Sequence, residues 1–450
     1  MPTKNPYQLD SAFIKEAPTT FRQRLKFLGP GFILSASIVG SGELIATTTL
    51  GAKAGFITFW IILVSCVIKV ALQLEFGKHT ILYGETAMMA FNKLPGPKFR
   101  DASWSIWALL GMMIIKFSQL GGIIGGVALT LNIAFPQISI PVGAFLAAIG
   151  ASLLVYKGYY KWVERISILM IGLFTILTFT SLYFLRYTEF EITGANIISG
   201  LTLQLPPEAI IIAIGAFGIT GVGGDEIIHY TYWCLEKGYA TFTGPFEDTE
   251  AWRNRAKGWI KVMELDAIVA MIVYTVVTAA FYLLGAAILH QRGDIPQGYE
   301  MIETLSNIYT QSLGEGAKMV FLIGALVVLF STLFSGLAAW SRQYTDIFGQ
   351  IGLIDFMDTK QRNRSIAIIA WVFPLLWAIL FLYIKQPVLM VIFGGIITSI
   401  ILFLVIFAAI HFRYYQLRPA FKPTRLYDLS LWLSIMVIGL LGIYGLIGLL

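Results

Sequence analysis

Apolar residues run in eleven long blocks along this chain, most of them close to or beyond the ~20 residues that carry a helix across a bilayer. The blocks fall at approximately 28–52, 56–77, 103–132, 140–157, 162–185, 207–235, 263–290, 317–341, 365–384, 387–412 and 429–449. No compact soluble domain is left between them. The longest polar stretch, 236–262, reads as a loop of under 30 residues with Gly244 and Pro245 at its centre. The pattern predicts an all-α integral membrane protein with about eleven transmembrane helices. The first block starts near residue 28 and runs about 25 residues, too long for a signal-peptide core, so no cleaved signal is expected.

Two blocks carry the same interruption. Residues 38–45 read Ile-Val-Gly-Ser-Gly-Glu-Leu-Ile, and residues 221–228 read Gly-Val-Gly-Gly-Asp-Glu-Ile-Ile. Laid over each other, Val39 meets Val222, Gly40 meets Gly223 and Glu43 meets Glu226. Glycines lower the cost of leaving the helix at these points. The interrupted blocks are spans one and six, so the chain divides as five spans, five more and one. An odd number of crossings sets the second repeat upside down relative to the first. The expected architecture is an inverted 5+5 repeat of the sodium/amino-acid symporter-like type, with spans one and six broken. Its divisions are a tail at 1–27, repeats at 28–206 and 207–412, and a loop with the eleventh span at 413–450.

Other local signals concern packing. Gly121, Gly122, Gly125 and Gly126 place small residues at three- and four-residue spacing in span three, which predicts close helix approach. Trp104, Trp107, Trp162, Trp340 and Trp371 fall near span ends, as interfacial belts do. Pro95-Gly96-Pro97 reads as a turn.

Composition agrees with the blocks: 57% of residues are hydrophobic and 13% charged, against roughly 25% charged in a soluble domain. A net charge of +6 suggests a polyanionic partner only until the basic residues are placed. Of 32, 25 lie in the tail (Lys4, Lys15, Arg22, Arg24, Lys26) or follow even-numbered spans, among them Lys157, Lys161 and Arg165 after span four. Five lie on the opposite side, and Lys69 and Lys116 fall inside spans. The positive-inside rule then puts the N-terminus in the cytoplasm and the C-terminus outside a multi-pass cell-membrane protein. The surroundings are membrane lipid, and no nucleic acid is expected. Cys66 and Cys234 both lie in spans, which excludes a disulfide framework and favours packing.

The candidate chemistry sits at the two breaks. Glu43 follows the first, and Asp225 and Glu226 follow the second. Each opens a half-helix, whose N-terminal end favours negative charge. Either these acids cap exposed N–H groups, or they bind a cation together with unwound carbonyls around Gly40 and Gly223. A carboxylate at mid-membrane depth costs ~2.5–3.5 kcal/mol on the insertion scale, and Ser or Asn would cap with less desolvation. The cation reading therefore leads, with Glu43, Asp225 and Glu226 as metal ligands. Gly40, Gly42, Gly221, Gly223 and Gly224 then form the hinge. His229 lies one helical turn beyond Asp225. It ligates metal beside Asp225, moves a proton, or simply packs. Gln119 and Lys116 fall mid-span in span three, where Lys116 either faces the acids as counter-charge or snorkels to a headgroup. Ser331, Thr332 and Ser335 offer hydroxyls to an ion or bond back to their own helix. No phosphate-binding loop, nucleophile elbow or zinc-protease helix is written anywhere, so neither an enzyme nor a resident cofactor is expected.

Three runs around the first break, Gly29-Pro30-Gly31-Phe32, Gly40-Ser41-Gly42-Glu43 and Gly51-Ala52-Lys53-Ala54-Gly55-Phe56, resemble the first span of the Nramp divalent-metal transporters. That family has Gly-Pro-Gly, Asp-Pro-Gly-Asn and Gly-Ala-x-Ala-Gly-Phe at the same spacings. Weaker likeness runs through Leu72-Gln73, Gly84-Glu85 and Ser331-Thr332. The resemblance implies eleven spans and metal transport. It also shows departures. The family's metal-binding Asp falls at Gly40 and its Asn at Glu43. Its Met-Pro-His motif falls at Gly223, Gly224 and Asp225, and its acidic positions in span three fall at Gln119 and Gly122. Carboxylates without a thioether suit a hard ion such as Mg2+ or Mn2+.

Matching Gly-interrupted spans in two halves point to a transporter's binding site. The leading expectation is a secondary-active transporter of a divalent metal cation, a small ion substrate, by alternating access. The alternative is a transporter of a small organic cation or amino acid whose ammonium group meets Glu43 or Glu226. The third is an intramembrane enzyme or a non-transporting sensor.

Overall fold

Prolines and polar caps start many of the long helices. Pro30, Pro207 and Pro387 open spans one, six and ten, where a missing N–H costs little. The side chains of Thr249 and Asp358 accept backbone N–H groups at the starts of spans seven and nine. This computed structural model describes residues 5–40, 42–156 and 160–448. Lys4, Ser41, Lys157 and the side chains of Lys161, Trp162 and Arg165 lie outside the described residues.

Among the described residues eleven helical spans follow in order. Eight helical stretches are long and apolar enough to cross a membrane, the first of them, Pro30–Tyr83, holding spans one and two. Ile140–Val155 and Tyr160–Phe184 supply spans four and five. Span one is Pro30–Ile38, then Gly42–Thr47 as a wide π-turn, then Thr48–Ala54. Span six is Ile210–Ile219 and, after a gap, Gly224–Lys237. The two breaks fall five spans apart, as the inverted repeat requires.

Two expectations fail for one reason, that helices here outrun their apolar blocks. The stretch 236–262 is not a loop. Tyr239–Thr243 is helical, and span seven begins at Glu250 and runs to Leu284. Its charged first turns bury Trp252, Ala256 and Trp259 on one face, a helical period rather than an apolar run. Trp340 is no interfacial residue either. Span eight continues from Ala317 to Gln350, so Trp340 lies inside it and is 3% exposed.

Small residues bring the spans together. Span three packs on spans nine and ten through its glycines: a Cβ on Gly121 would stand 2.9 Å from the Trp377 carbonyl, and one on Gly122 2.6 Å from that of Pro387. The first half of span six lies even closer to span ten. There a Cβ on Gly218 would come within 1.8 Å of the Gly395 carbonyl oxygen, and one on Gly395 within 2.2 Å of that of Gly215.

The start of span one is held by span seven. The backbone N–H groups of Gly29 and Gly31 donate to the two oxygens of Asp266 at 2.7 and 2.5 Å, and Tyr230 donates to the same carboxylate at 3.1 Å. A buried acid thus caps orphan donors of the helix. The tail before span one crosses the ends of spans six, eight and nine. The Tyr7 hydroxyl donates to Glu236 at 2.6 Å, Arg342 donates to Glu236 at 2.5 and 3.1 Å, and the Arg362 guanidinium lies 4.8 Å from the Tyr7 ring centre.

Candidate functional site

The second break turns on one glycine. After Ile219 the chain leaves the helix at Thr220, and Gly221 has φ +63°, in the left-handed region that side chains disfavour. The helix restarts at Gly224, with Asp225 and Glu226 in its first turn. The first break follows Val39, and Glu43 sits in the π-turn beyond it. The other expected hinge glycines are needed for room. A Cβ on Gly40 would stand 1.6 Å from Thr332 Oγ1, one on Gly42 3.3 Å from the Ile219 carbonyl, and one on Gly224 2.8 Å from Ile401. Gly223 leaves space for the Glu226 carboxylate, 2.4 Å from where its Cβ would be.

A cavity opens between spans one, three, six and eight. Its polar lining comes from Ser37, Gln119, Asp225, Glu226, His229 and Thr332, with Trp340 forming a wall. Lys116 reaches Asp225 from span three, whose helix tightens into a 3-10 turn over Lys116–Ser118. Its ammonium donates to Asp225 Oδ2 at 2.8 Å and to Thr398 at 2.6 Å, and stands 5.6 Å from the Trp340 ring centre. Of the two readings of Lys116, the structure takes the counter-charge: the side chain is 1% exposed and that of Asp225 4%. Among the described residues, Asp225 Oδ1 and Glu226 Oε2 are buried without a hydrogen-bond partner.

The remaining candidates divide. His229 lines the cavity, and its Nε2 lies 2.6 Å from Gln343 Oε1. Glu43 is fully buried but turned away, accepting from Thr278 at 2.8 Å and from the Gly40 N–H at 3.2 Å. Asp225 and Glu226 are therefore together in the cavity, while Glu43 stands against span seven. Among the described residues no three His, Cys, Asp or Glu side chains form a group that would hold a metal ion. Ser331 and Ser335 bond back to their own helix, and Thr332 bonds to the Val328 carbonyl while also facing the cavity. Sequence reasoning passes over Thr278, Thr398, Gln343 and Lys69. Only Lys69 carries a signal, a second basic residue inside an apolar span.

An interrupted helix in each of two inverted halves, with charged side chains gathered between them, is how symporter-like membrane transporters are built. The chain belongs to the Nramp family: the profile described as natural resistance-associated macrophage protein-like matches residues 31–448. It is similar to the divalent metal cation transporter MntH of Brucella suis, with 24% identity over 352 residues, 77% of this chain and 70% of that one. In fold it is similar to the Eremococcus coleocola manganese transporter in complex with an aromatic bis-isothiourea substituted compound, at TM-score 0.66 and 16% identity, covering 97% of this chain and 90% of that one. The fold is also that of Mhp1, a nucleobase-cation-symport-1 family transporter in a closed conformation, at TM-score 0.60 and 13% identity, covering 98% and 93%.

Proposed function

We propose that this protein carries a divalent metal cation across the cell membrane by alternating access, binding it where the two breaks meet. The observation that carries this reading is the pair of buried carboxylate oxygens, Asp225 Oδ1 and Glu226 Oε2, on residues that line the cavity, with no hydrogen-bond partner among the described residues. Leaving such acceptors unsatisfied is costly, and a cation satisfies both. Family membership supports the reading, as do relatives named as transporters of divalent metal cations and of manganese. The same relatives give the organic-cation alternative no support.

The donors favour a hard ion. The carboxylates, the Gln119 amide and the hydroxyls of Ser37 and Thr332 present oxygen, His229 adds one imidazole, and no thioether lines the cavity among the described residues. Such a set suits Mg2+ or Mn2+. An arriving dication competes with the Lys116 ammonium for Asp225, so metal binding and the loosening of that ion pair are one event. Glu43, the pseudo-symmetric partner of Glu226, joins the shell when the first break rearranges. Carbonyls around Gly40 and Gly223 complete it. The distribution of basic residues supports a cytoplasmic N-terminus and an outside C-terminus.

Uptake into proteoliposomes over Mg2+, Mn2+, Ca2+ and Zn2+, with Glu226→Gln alongside and internal pH recorded, tests this. Saturable Mg2+ or Mn2+ flux that the variant loses is expected. No flux of any dication would overturn the reading.

A further inference from the structure

Lys69 is the other lysine inside a span, and its environment differs from that of Lys116. Its side chain is fully buried, and among the described residues it forms no ion pair. Its Nζ donates instead to two backbone carbonyls, of Phe217 and Thr220, each at 2.6 Å. The Ser65 hydroxyl stands 3.0 Å from the same two oxygens and accepts from Thr220 Oγ1 at 2.7 Å. The Phe217 ring centre lies 4.8 Å from the amine. The helix of span two is itself interrupted at this residue, between Phe59–Ile68 and Val70–Tyr83.

These carbonyls are the unpaired acceptors at the end of the first half of span six, the negative end of that half-helix. A cluster of neutral oxygens at the carbonyl end of a broken helix is suited to a monovalent cation. Here the cation is part of the chain.

We propose that the Lys69 ammonium is a tethered cation occupying a monovalent-cation site at the end of the first half of span six. It holds the second break in place without Na+ or K+ from solution. The hydrogen bonds of Lys69 go to Phe217 and Thr220, neither of which lines the cavity described above, so it is a positioning residue. Removing its side chain leaves a cradle of the Phe217 and Thr220 carbonyls and the Ser65 hydroxyl that accepts a small monovalent cation.

The test compares the purified wild type, Lys69→Ala and Lys69→Met by thermal melting in methylammonium chloride, NaCl and choline chloride. Both variants are expected to melt a few degrees lower. Lys69→Ala should regain stability as methylammonium or Na+ rises, by mass action on the vacated cradle. Lys69→Met, with the space filled, should not, and the wild type should respond to none of the salts. A Lys69→Ala response no greater in methylammonium or Na+ than in choline overturns the proposal. So does a wild type that Na+ or K+ stabilises specifically, which applies even where a variant fails to fold. Melting does not depend on what is transported. A second arm rests on the metal-transport reading: wild-type Mn2+ flux should be the same with choline replacing all Na+ and K+, and Lys69→Ala flux should be restored by methylammonium. An absence of wild-type flux counts against transport, while the melting arm alone decides the cradle.

Discussion

The Lys116 ammonium and the Asp225 carboxylate form a buried ion pair, 2.8 Å apart, at the wall of the cavity that Asp225 lines. It leaves one Asp225 oxygen without a partner among the described residues. The site is therefore already half neutralised before any substrate arrives, and the charge it offers a metal is set by a lysine as much as by its acids.

Lys116→Met strands Asp225. Removing one partner of a buried pair costs about 3–5 kcal/mol, so the variant should melt well below the wild type in chelator. A dication supplies the missing charge. Mn2+ or Mg2+ should raise the melting temperature of Lys116→Met more than that of the wild type, and thermal melting with and without metal reads the difference.

Glu226→Gln and Glu43→Gln should separate binding from folding. Glu226 Oε2 is buried without a partner among the described residues, a cost to the fold, so the uncharged Gln variant should melt no lower than wild type, yet bind metal at least about tenfold more weakly. Glu43 accepts from both Thr278 and the Gly40 N–H. A Gln there sets an N–H against one of those donors, and stability should fall by about 1–3 kcal/mol as well. Unchanged uptake in both would remove these acids from the transport site.

Asp266→Ala takes away the acceptor shared by the Gly29 and Gly31 N–H groups. Loss of a cap costs about 0.5–2 kcal/mol, and burial of the stranded donors puts this one at the upper end. Melting temperature should drop while the order of metal preference, measured by competition, stays the same.

Gly40→Ala drives a methyl group into Thr332, whose Oγ1 lies 1.6 Å from the new Cβ position. Overpacking of this kind costs about 1–3 kcal/mol. Adding Thr332→Ala should return part of that loss, and a double-mutant cycle on melting reads the coupling. Additive losses would show that the two spans do not meet there.

The breaks and their acids are legible in the sequence because both depend on local chemistry. Glycine runs and carboxylates inside apolar blocks stand out residue by residue. Span ends are less legible: the charged first turns of span seven carry their apolar residues at a helical period, and a search for apolar blocks passes over Trp252 and Trp259. Partners are not legible at all. Thr278 reaches Glu43 across 235 residues, Lys116 reaches Asp225 across 109 and Asp266 reaches Gly31 across 235. Nothing at either end of such a pair names the other. Whether Lys116 faces acid or headgroup is a fact about packing.

The crossing of Gly215 and Gly218 with Gly395 bears on how the molecule can flex. Two backbones that approach so closely cannot slide or roll without a clash, so the first half of span six and span ten behave as one splinted strut. A movement that exposes the cavity first to one face and then to the other must carry the strut whole. The bending then falls on Thr220–Gly223, four residues with Gly221 already in a left-handed turn, and the load on that short flexure is shared by whatever grips its first carbonyl.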